Sequence, residues 1–520
     1  MEFNDEVVDK GPPWWKSMRF KITIIGFLGG ANLYIQRSNM SMAIVCMVNH
    51  TAVDLLYRAD LDIISSNTTM NVWSQIFQQD RNLSDVAPLK DACQSTLSPM
   101  ADSGEGDLVW SKEIQGLILG GLYWGYVPSQ LISGLILKRY GIRRTVGPLF
   151  LAMSLLTILT HSAAIWSPWA VFTLRVLIGI LNGVTMPGLF FIIAAWAPPD
   201  GNGRLSSLII GGLMMGNVVV FPVASLLCRY GFAGGWPSIF HVSGISGFLF
   251  CLLWFIWVYD TPIKHPSINL KEKAFIMSNM DVFNVSPDTV NVFFLWEINS
   301  LPWCKVLRTV PYIALIVTHT CFNWGLYLIL NNLPLYMREV LKFQLASNGV
   351  WTMIPYSSMF AFIMLAGIML DKMSHHFGHH ISRKSSVSVG LGISAILLII
   401  ISYLECDDYI TVIILMCLTL SLLALAYLAI MVNFFDIDPQ HAGQLMTFSN
   451  TIANIPGILV SYAVGEYTKD NTREQWQKVF FLSSGILGFG ALIFVIFGSV
   501  YIPKWARTSP REKGVRSFKF

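Results

Sequence analysis

The chain has 520 residues, 54% of them hydrophobic and 13% charged, with a net charge of +4 and a mean hydropathy of +0.55. Ordinary soluble domains carry about 25% charged residues. The composition therefore excludes a soluble globular enzyme, a disordered chain and a fibrous one, and it places most of the protein in lipid; the small net charge gives a nucleic-acid partner no support.

A bilayer-spanning helix needs about 20 mostly apolar residues. Twelve such stretches follow one another along the chain, at 20–47, 114–137, 146–166, 171–196, 205–227 and 239–258, then at 311–333, 350–370, 388–404, 410–431, 446–464 and 479–501. The first is too long for a cleaved signal peptide, carries Arg37 and follows a polar leader. Backbone groups in lipid must be satisfied within the segment, so these stretches read as helices. They do not alternate as barrel strands would. The expected fold is an all-α membrane protein with twelve transmembrane helices in two pseudo-symmetric six-helix bundles.

The expected division is a cytosolic N-terminal segment (1–19), a first bundle (20–258), a cytosolic linker (259–309), a second bundle (310–502) and a cytosolic tail (503–520). Lysine and arginine set the orientation. They crowd after the second span (Lys138, Arg139, Arg143, Arg144), after the sixth (Lys264, Lys271, Lys273, Lys305, Arg308) and in the tail, and they are missing after the third. Both termini are thus expected in the cytosol. The loop at 50–112 fits the opposite side: from Asn49 to Trp110 it has nine acids and three bases. Asn67 and Asn82 head glycosylation triplets in that loop. Eight cysteines fall mostly inside apolar runs, and CxxC spacing never occurs, so neither a disulfide framework nor a zinc site is expected.

The halves echo each other. Residues 134–139 (GLILKR) at the end of the second span match 367–372 (GIMLDK) at the end of the eighth. Phe190-Phe191 running out to Pro198-Pro199 matches Phe434-Phe435 running out to Pro439. Parallel six-helix halves are the layout of major-facilitator transporters, whose substrate site lies between halves near mid-membrane.

An ionisable group at a helix centre costs about 2.5–3.5 kcal/mol on insertion scales. Arg37 in the first span and Arg175 in the fourth are the ones that matter here. The functional reading makes them fixed positive charges that bind an anion, because the planar guanidinium fork suits carboxylate or phosphate. The bland reading has them snorkel to the interface or tie helices together. Softer polar faces are Tyr123, Tyr126 and Gln130 on the second span, and Asn323, Tyr327 and Asn331 on the seventh. Asn450 and Asn454 on the eleventh precede Pro456-Gly457, an expected flexible point. The candidate substrate-binding set is Arg37, Arg175, Tyr123, Gln130, Asn323 and Tyr327. The histidines at 375, 376, 379 and 380 read as a solvated cytosolic loop rather than a metal site. No nucleophile–base, metal or P-loop pattern supports an enzyme or an ATP-driven pump.

Several segments resemble the solute carrier family seventeen, which holds sialin, the vesicular glutamate transporters and the type I sodium–phosphate transporters. They are 31–45 (ANLYIQRSNMSMAIV), Gln115-Gly116 to Gln130, Gly183-Val184-Thr185 with Pro187, Tyr259-Asp260 to Pro266, Asn433 to Pro439 and Glu474 to Phe480. The resemblance is collinear from about Arg19 to Trp505. It implies a major-facilitator fold that moves organic anions or phosphate by alternating access, with Arg37 and Arg175 matching the family's intramembrane arginines. It also exposes departures. The fourth-span acids of sialin-like members are Ile178 and Asn182 here, and the arginine and histidine of the glutamate carriers are Phe322 and Leu119. A membrane carboxylate is the natural proton relay, so the expectation is a secondary active or potential-driven carrier of small organic anions, with phosphate as a further candidate substrate and membrane potential as the drive where no proton acceptor is present. The competing readings are a proton-coupled acidic-sugar or glutamate carrier and a non-transporting sensor. The partners expected are the anionic solute and the bilayer, with no obligate protein partner. No cofactor is expected beyond a coupling ion, for which sodium, chloride and proton stay open. The membrane is the plasma membrane or a lysosomal or vesicular one.

Overall fold

The computed structural model describes residues 17–53, 55–57, 106–196, 202–281, 301–438, 441–501 and 503. The glycosylation triplets at Asn67 and Asn82, and most of the tail, lie outside the described residues. The membrane helices are α1 (Met18–Met47), α2 (Lys112–Tyr140), α3 (Ile142–Trp166), α4 (Pro168–Trp196), α5 (Asn202–Tyr230) and α6 (Pro237–Trp257). The second set is α7 (Val310–Glu339), α8 (Leu345–Phe377), α9 (His379–Tyr403), α10 (Tyr409–Ile437), a broken α11 (α11a, Ala442–Ala453; α11b, Pro456–Tyr467) and α12 (Arg473–Phe497). A short helix, Leu270–Asp281, lies in the linker.

Nine of the described helices are long and apolar enough to cross a membrane by length and composition alone. The three remaining passages are α1, α2 and α11. Their shortfall has a cause. α1 carries Asn32, Gln36, Arg37 and Asn39, α2 carries Gln115 and Gln130, and α11 is split into two pieces of 12 residues. Polar side chains are buried on these helices, as they also are on α4 and α7.

The repeat read from sequence is visible in the packing. In the first half α1 packs on α5, α2 on α4 and α3 on α6; in the second half α7 packs on α11, α8 on α10 and α9 on α12. The halves meet through α5 on α8, α2 on α11b and α1 on α7, pairings that a twofold axis interchanges. Both junctions after the second helix of each half turn on a single glycine at positive φ, Gly141 at 80° and Gly378 at 81°. Such a φ favours glycine because it has no Cβ to clash. The histidine run is accordingly not a loop: His375 and His376 end α8, and His379 and His380 open α9.

Glycine also sets the seam between α2 and α4. A Cβ at Gly179 would run into the Leu122 carbonyl, and one at Gly125 into the Val176 carbonyl. Lipid offers little hydrophobic drive between helices, so such close approach is how they gain packing.

Two ends are distinguished here: the near end, where α1 begins, and the far end, where it stops. At the near end the linker holds the start of α1. Glu272 accepts from the backbone N–H of Met18 (2.9 Å) and of Arg19 (3.0 Å), and it pairs with the Arg19 side chain at 3.4 Å. A carboxylate on a helix N-terminus satisfies orphan donors and meets the positive end of the helix dipole. At the far end Cys46 and Cys228 form a disulfide between the ends of α1 and α5. This corrects the expectation that the cysteines take no part in disulfides: residues 182 apart in sequence left no spacing signal. Cys406, also at the far end, is disulfide-bonded as well.

Candidate functional site

Arg37 sits midway along the molecule on α1, which is buried along most of its length. Four tyrosine rings surround its guanidinium. The carbon Cζ lies 4.9 Å from the ring centroid of Tyr123, 5.2 Å from Tyr126, and 5.3 Å from both Tyr34 and Tyr327. Tyr34 precedes Arg37 by one helical turn, Tyr123 and Tyr126 come from α2, and Tyr327 comes from α7 of the opposite bundle. Cation–π attraction is worth about 2 kcal/mol when the pair is desolvated, which offsets part of the burial cost. It does not satisfy hydrogen bonds. Nε and Nη2 of Arg37 are buried without a partner. Among the described residues, no carboxylate pairs with Arg37 or Arg175.

Arg175 is placed differently. Its Nη2 donates to the carbonyl of Arg37 at 2.9 Å and its Nη1 to the carbonyl of Gln36 at 3.4 Å. The fork therefore grips the α1 backbone at the residue that carries the caged guanidinium. Ile178 and Asn182 of α4 are buried, and both side-chain atoms of Asn182 lack a partner.

The rest of the set lines the inner face of α7 against α11. Asn323 Nδ2 donates to the Ala453 carbonyl at 2.6 Å, and the Tyr327 hydroxyl donates to Asn454 Oδ1 at 2.5 Å. Asn331 Nδ2 donates to Ser461 Oγ at 3.0 Å, while its Oδ1 accepts from the Tyr123 hydroxyl at 3.2 Å. One turn nearer the near end of α7, the His319 ring sits 3.0 Å from Ser449 Oγ. Gln130 Nε2 reaches the Tyr126 hydroxyl at 3.4 Å, and its Oε1 has no partner. Phe322 instead turns away and stacks on Tyr427 of α10, centroids 5.5 Å apart.

The structure thus brings Arg37, Tyr123, Tyr327, Asn323 and Gln130 around one polar chamber, and ties Arg175 to the α1 backbone beside it. Tyr34, Tyr126, Asn331 and Asn454 belong to the chamber too. Their signal was present in the sequence: each shares a helix face, at spacings of three or four, with a residue already singled out. His319 carried the same mark, four residues before Asn323, whereas Ser461 had none beyond polarity in an apolar run. Chemically, the chamber offers two unused donors of one permanent cation, flat aromatic walls and neutral amides, and among the described residues no acid. That inventory suits an anion.

The break in α11 falls beside this chamber. α11a ends at Ala453 and α11b begins at Pro456, which lacks an N–H. The carbonyl of Ala453, near the interruption, is the one that accepts from Asn323. Irregular backbone at membrane depth is tolerated where it lines a cavity, and interrupted helices mark binding sites in transporters.

Residues 27–461 match the family model described as Major Facilitator Superfamily. The chain is 32% identical over 501 residues to "Uncharacterized transporter slc-17.2" of Caenorhabditis elegans, covering 95% of this chain and 94% of that one. It is 32% identical over 517 residues to a "Putative inorganic phosphate cotransporter" of Drosophila melanogaster (98% and 90%) and 29% identical over 492 residues to Homo sapiens "Sialin" (94% and 91%). Among solved structures it is similar to the D-xylose-proton symporter, with a TM-score of 0.62, 16% identity, and coverage of 94% of this chain and 99% of that one.

Proposed function

This chain belongs to the Major Facilitator Superfamily, in the solute carrier family seventeen of sialin and its relatives, and on that premise we propose that it carries a small organic monoanion across the membrane by alternating access. The observation behind this reading is the pair of partnerless donors on buried Arg37, caged by rings from both bundles. A buried charge with unused donors is costly unless something of opposite sign binds it. Arg37 faces the chamber, whereas the Arg175 fork is engaged with α1 carbonyls. One free guanidinium matches one carboxylate-like group better than doubly charged phosphate. The cage between halves gives the anion contacts to both bundles, so that binding can bias the rocking equilibrium.

Membrane potential is the proposed drive, at about 2.3 kcal/mol per charge per 100 mV, because no acid lines the described chamber. The proposed topology puts the near end and both termini in the cytosol. It is supported by the disulfide-bonded cysteines at the far end, Cys46, Cys228 and Cys406, and by the free, exposed Cys304 in the near-end linker, since disulfides persist in oxidising compartments. Asn67 and Asn82 then face the exterior or a lumen and carry glycans.

The test is uptake into proteoliposomes holding purified protein, with a panel of carboxylates, urate-like anions and phosphate. Saturable uptake of an organic anion, accelerated by an imposed potential at equal pH on both sides, supports the proposal. Uptake driven only by a pH gradient sinks the proposed drive, and a preference for phosphate sinks the monoanion.

A further inference from the structure

The ion pairs of this molecule are distributed unevenly between its ends. At the near end they stay within one bundle or reach the linker: Arg383 with Asp436 of α10 at 2.9 Å, His441 with Asp438 at 2.8 Å, and Arg19 with Glu272. At the far end two of the four described pairs cross between bundles, while Arg473–Glu405 and Lys469–Glu466 stay within the second. Lys112 at the start of α2 pairs with Glu339 at the end of α7, both side chains 3% exposed. The other carboxylate oxygen of Glu339 accepts from Trp476 Nε1 of α12 at 2.9 Å. Glu113 of α2 pairs with Lys469, between α11b and α12, at 2.9 Å. Arg338 of α7 donates to the carbonyl of Val45 on α1. The far end is therefore sealed by charge between halves, and among the described residues the near end has no crossing pair.

His50 is embedded in this seal. It follows α1 directly, is 7% exposed, and its Nε2 has no hydrogen-bond partner. Among the described residues the charged groups acting on it are the cations Lys112 of α2, itself paired with Glu339, and Arg338 of α7, while α1 presents the carbonyls of Ile44 and Val45. We propose that the far-end seal is a latch released by protons of the far-side compartment, with His50 as the group that accepts them. Burial first, then Lys112 and Arg338, hold its imidazole well below the usual histidine range while the seal is closed. An imidazolium set between an ammonium and a guanidinium repels the two side chains that make the crossing contacts. Once the halves part, the ring is in water, where histidine titrates near 6.5. The closed form then binds fewer protons than the open form, so acid favours opening and neutral pH favours closing. The titration window lies below about pH 6.5 and is set by the open form.

The experiment needs no transported anion, so its outcome is independent of the proposed cargo. Ser461, fully buried on α11b, becomes the reporter through Ser461→Cys in the full-length protein in liposomes. A thiol reagent that cannot cross the bilayer is added to the far side alone. Lowering far-side pH from 7.5 to 5.5 should raise the labelling rate about tenfold relative to a permanently exposed cysteine labelled at the same pH, a ratio that cancels the loss of thiolate and leaves the gain expected for a group titrating near 6.5. His50→Asn should flatten that response while retaining the Cys46–Cys228 crosslink, which reports folding. A tenfold response that survives His50→Asn overturns the proposal, as does labelling indifferent to pH in the parent. Glu339→Gln serves as the second variant. It should raise labelling at pH 7.5 by removing the crossing pair, and unchanged labelling means that this pair does not hold the seal.

Discussion

The rings of Tyr123 and Tyr327 lie 4.7 Å apart, centroid to centroid, at 54°, and they belong to opposite bundles. Both rings also face the Arg37 guanidinium. The contact between halves and the candidate anion site are therefore one cluster, and an anion taken by Arg37 lands on the surface that must part for the carrier to turn over.

Arg37→Ala should abolish uptake, lowering it at least a hundredfold, with membrane abundance unchanged. Hydrogen bonds to charged groups are worth about 1.5–3 kcal/mol each, and two donors are in play. Arg37→Lys keeps the charge and loses the fork, so it should recover only a minor fraction. Uptake in Arg37→Ala equal to that of the parent would end the assignment.

Arg175 should behave as a positioning residue. Sequence alone expects its loss to abolish uptake by removing a ligand for the anion; its grip on the Gln36 and Arg37 carbonyls predicts a different signature. Arg175→Ala should raise KM about tenfold through a displaced Arg37, with some uptake left at saturating anion, and Arg175→Lys should restore part of the affinity. Complete loss at every anion concentration favours the direct role instead.

Tyr327→Phe removes the hydroxyl bonded to Asn454 and keeps the ring over Arg37. Interhelical hydrogen bonds in membranes average about 0.6 kcal/mol, roughly a threefold effect. The change should therefore alter turnover by a small factor and leave anion affinity nearly constant. A large loss of affinity would show that the hydroxyl itself meets the anion.

Cys46→Ser should lower the thermal midpoint of the detergent-purified protein, because it frees the ends of α1 and α5. Disulfides typically contribute about 2–4 kcal/mol. The paired change Asn67→Gln and Asn82→Gln should remove the glycan-dependent mobility shift. Reactivity of the unaltered chain's Cys46 with thiol reagents, or no mobility shift at all, contradicts the proposed sidedness.

Glu272→Ala should destabilise the start of α1, since it strips two backbone N–H groups and Arg19 of their acceptor. Loss of such a cap costs about 0.5–2 kcal/mol. Faster proteolysis near residue 20 in the variant, measured from the near side, checks it.

Much of this was legible beforehand, for physical reasons. Lipid forces helices wherever apolar runs exceed span length, so the passages announced themselves. Arg37 stood out because a buried guanidinium is too costly to be idle, and Pro456-Gly457 marked the interruption of α11. The unread parts share one property, which is that their chemistry lies in partners distant in sequence. Lys112 and Glu339 each look like ordinary interfacial charges at a span end, and only the fold pairs them. Cys46 and Cys228 resemble buried apolar cysteines until α1 and α5 are set side by side. Arg175 binds backbone carbonyls, which every residue possesses, so no residue type could betray its partner.

The interruption of α11 has a mechanical consequence. Its first half is bonded to α7 through Asn323 and His319, while its second half, bonded to α7 through Asn331 and Ser461, also abuts α2, where Gly116 meets Ser461 and Gly457 meets the Tyr123 ring. A swing of α11b against α11a would flex at Asn454, level with the tyrosine cage. If the proposed anion sits in that cage, fulcrum and berth coincide, and a solute that stiffens the berth also sets how freely the lever turns.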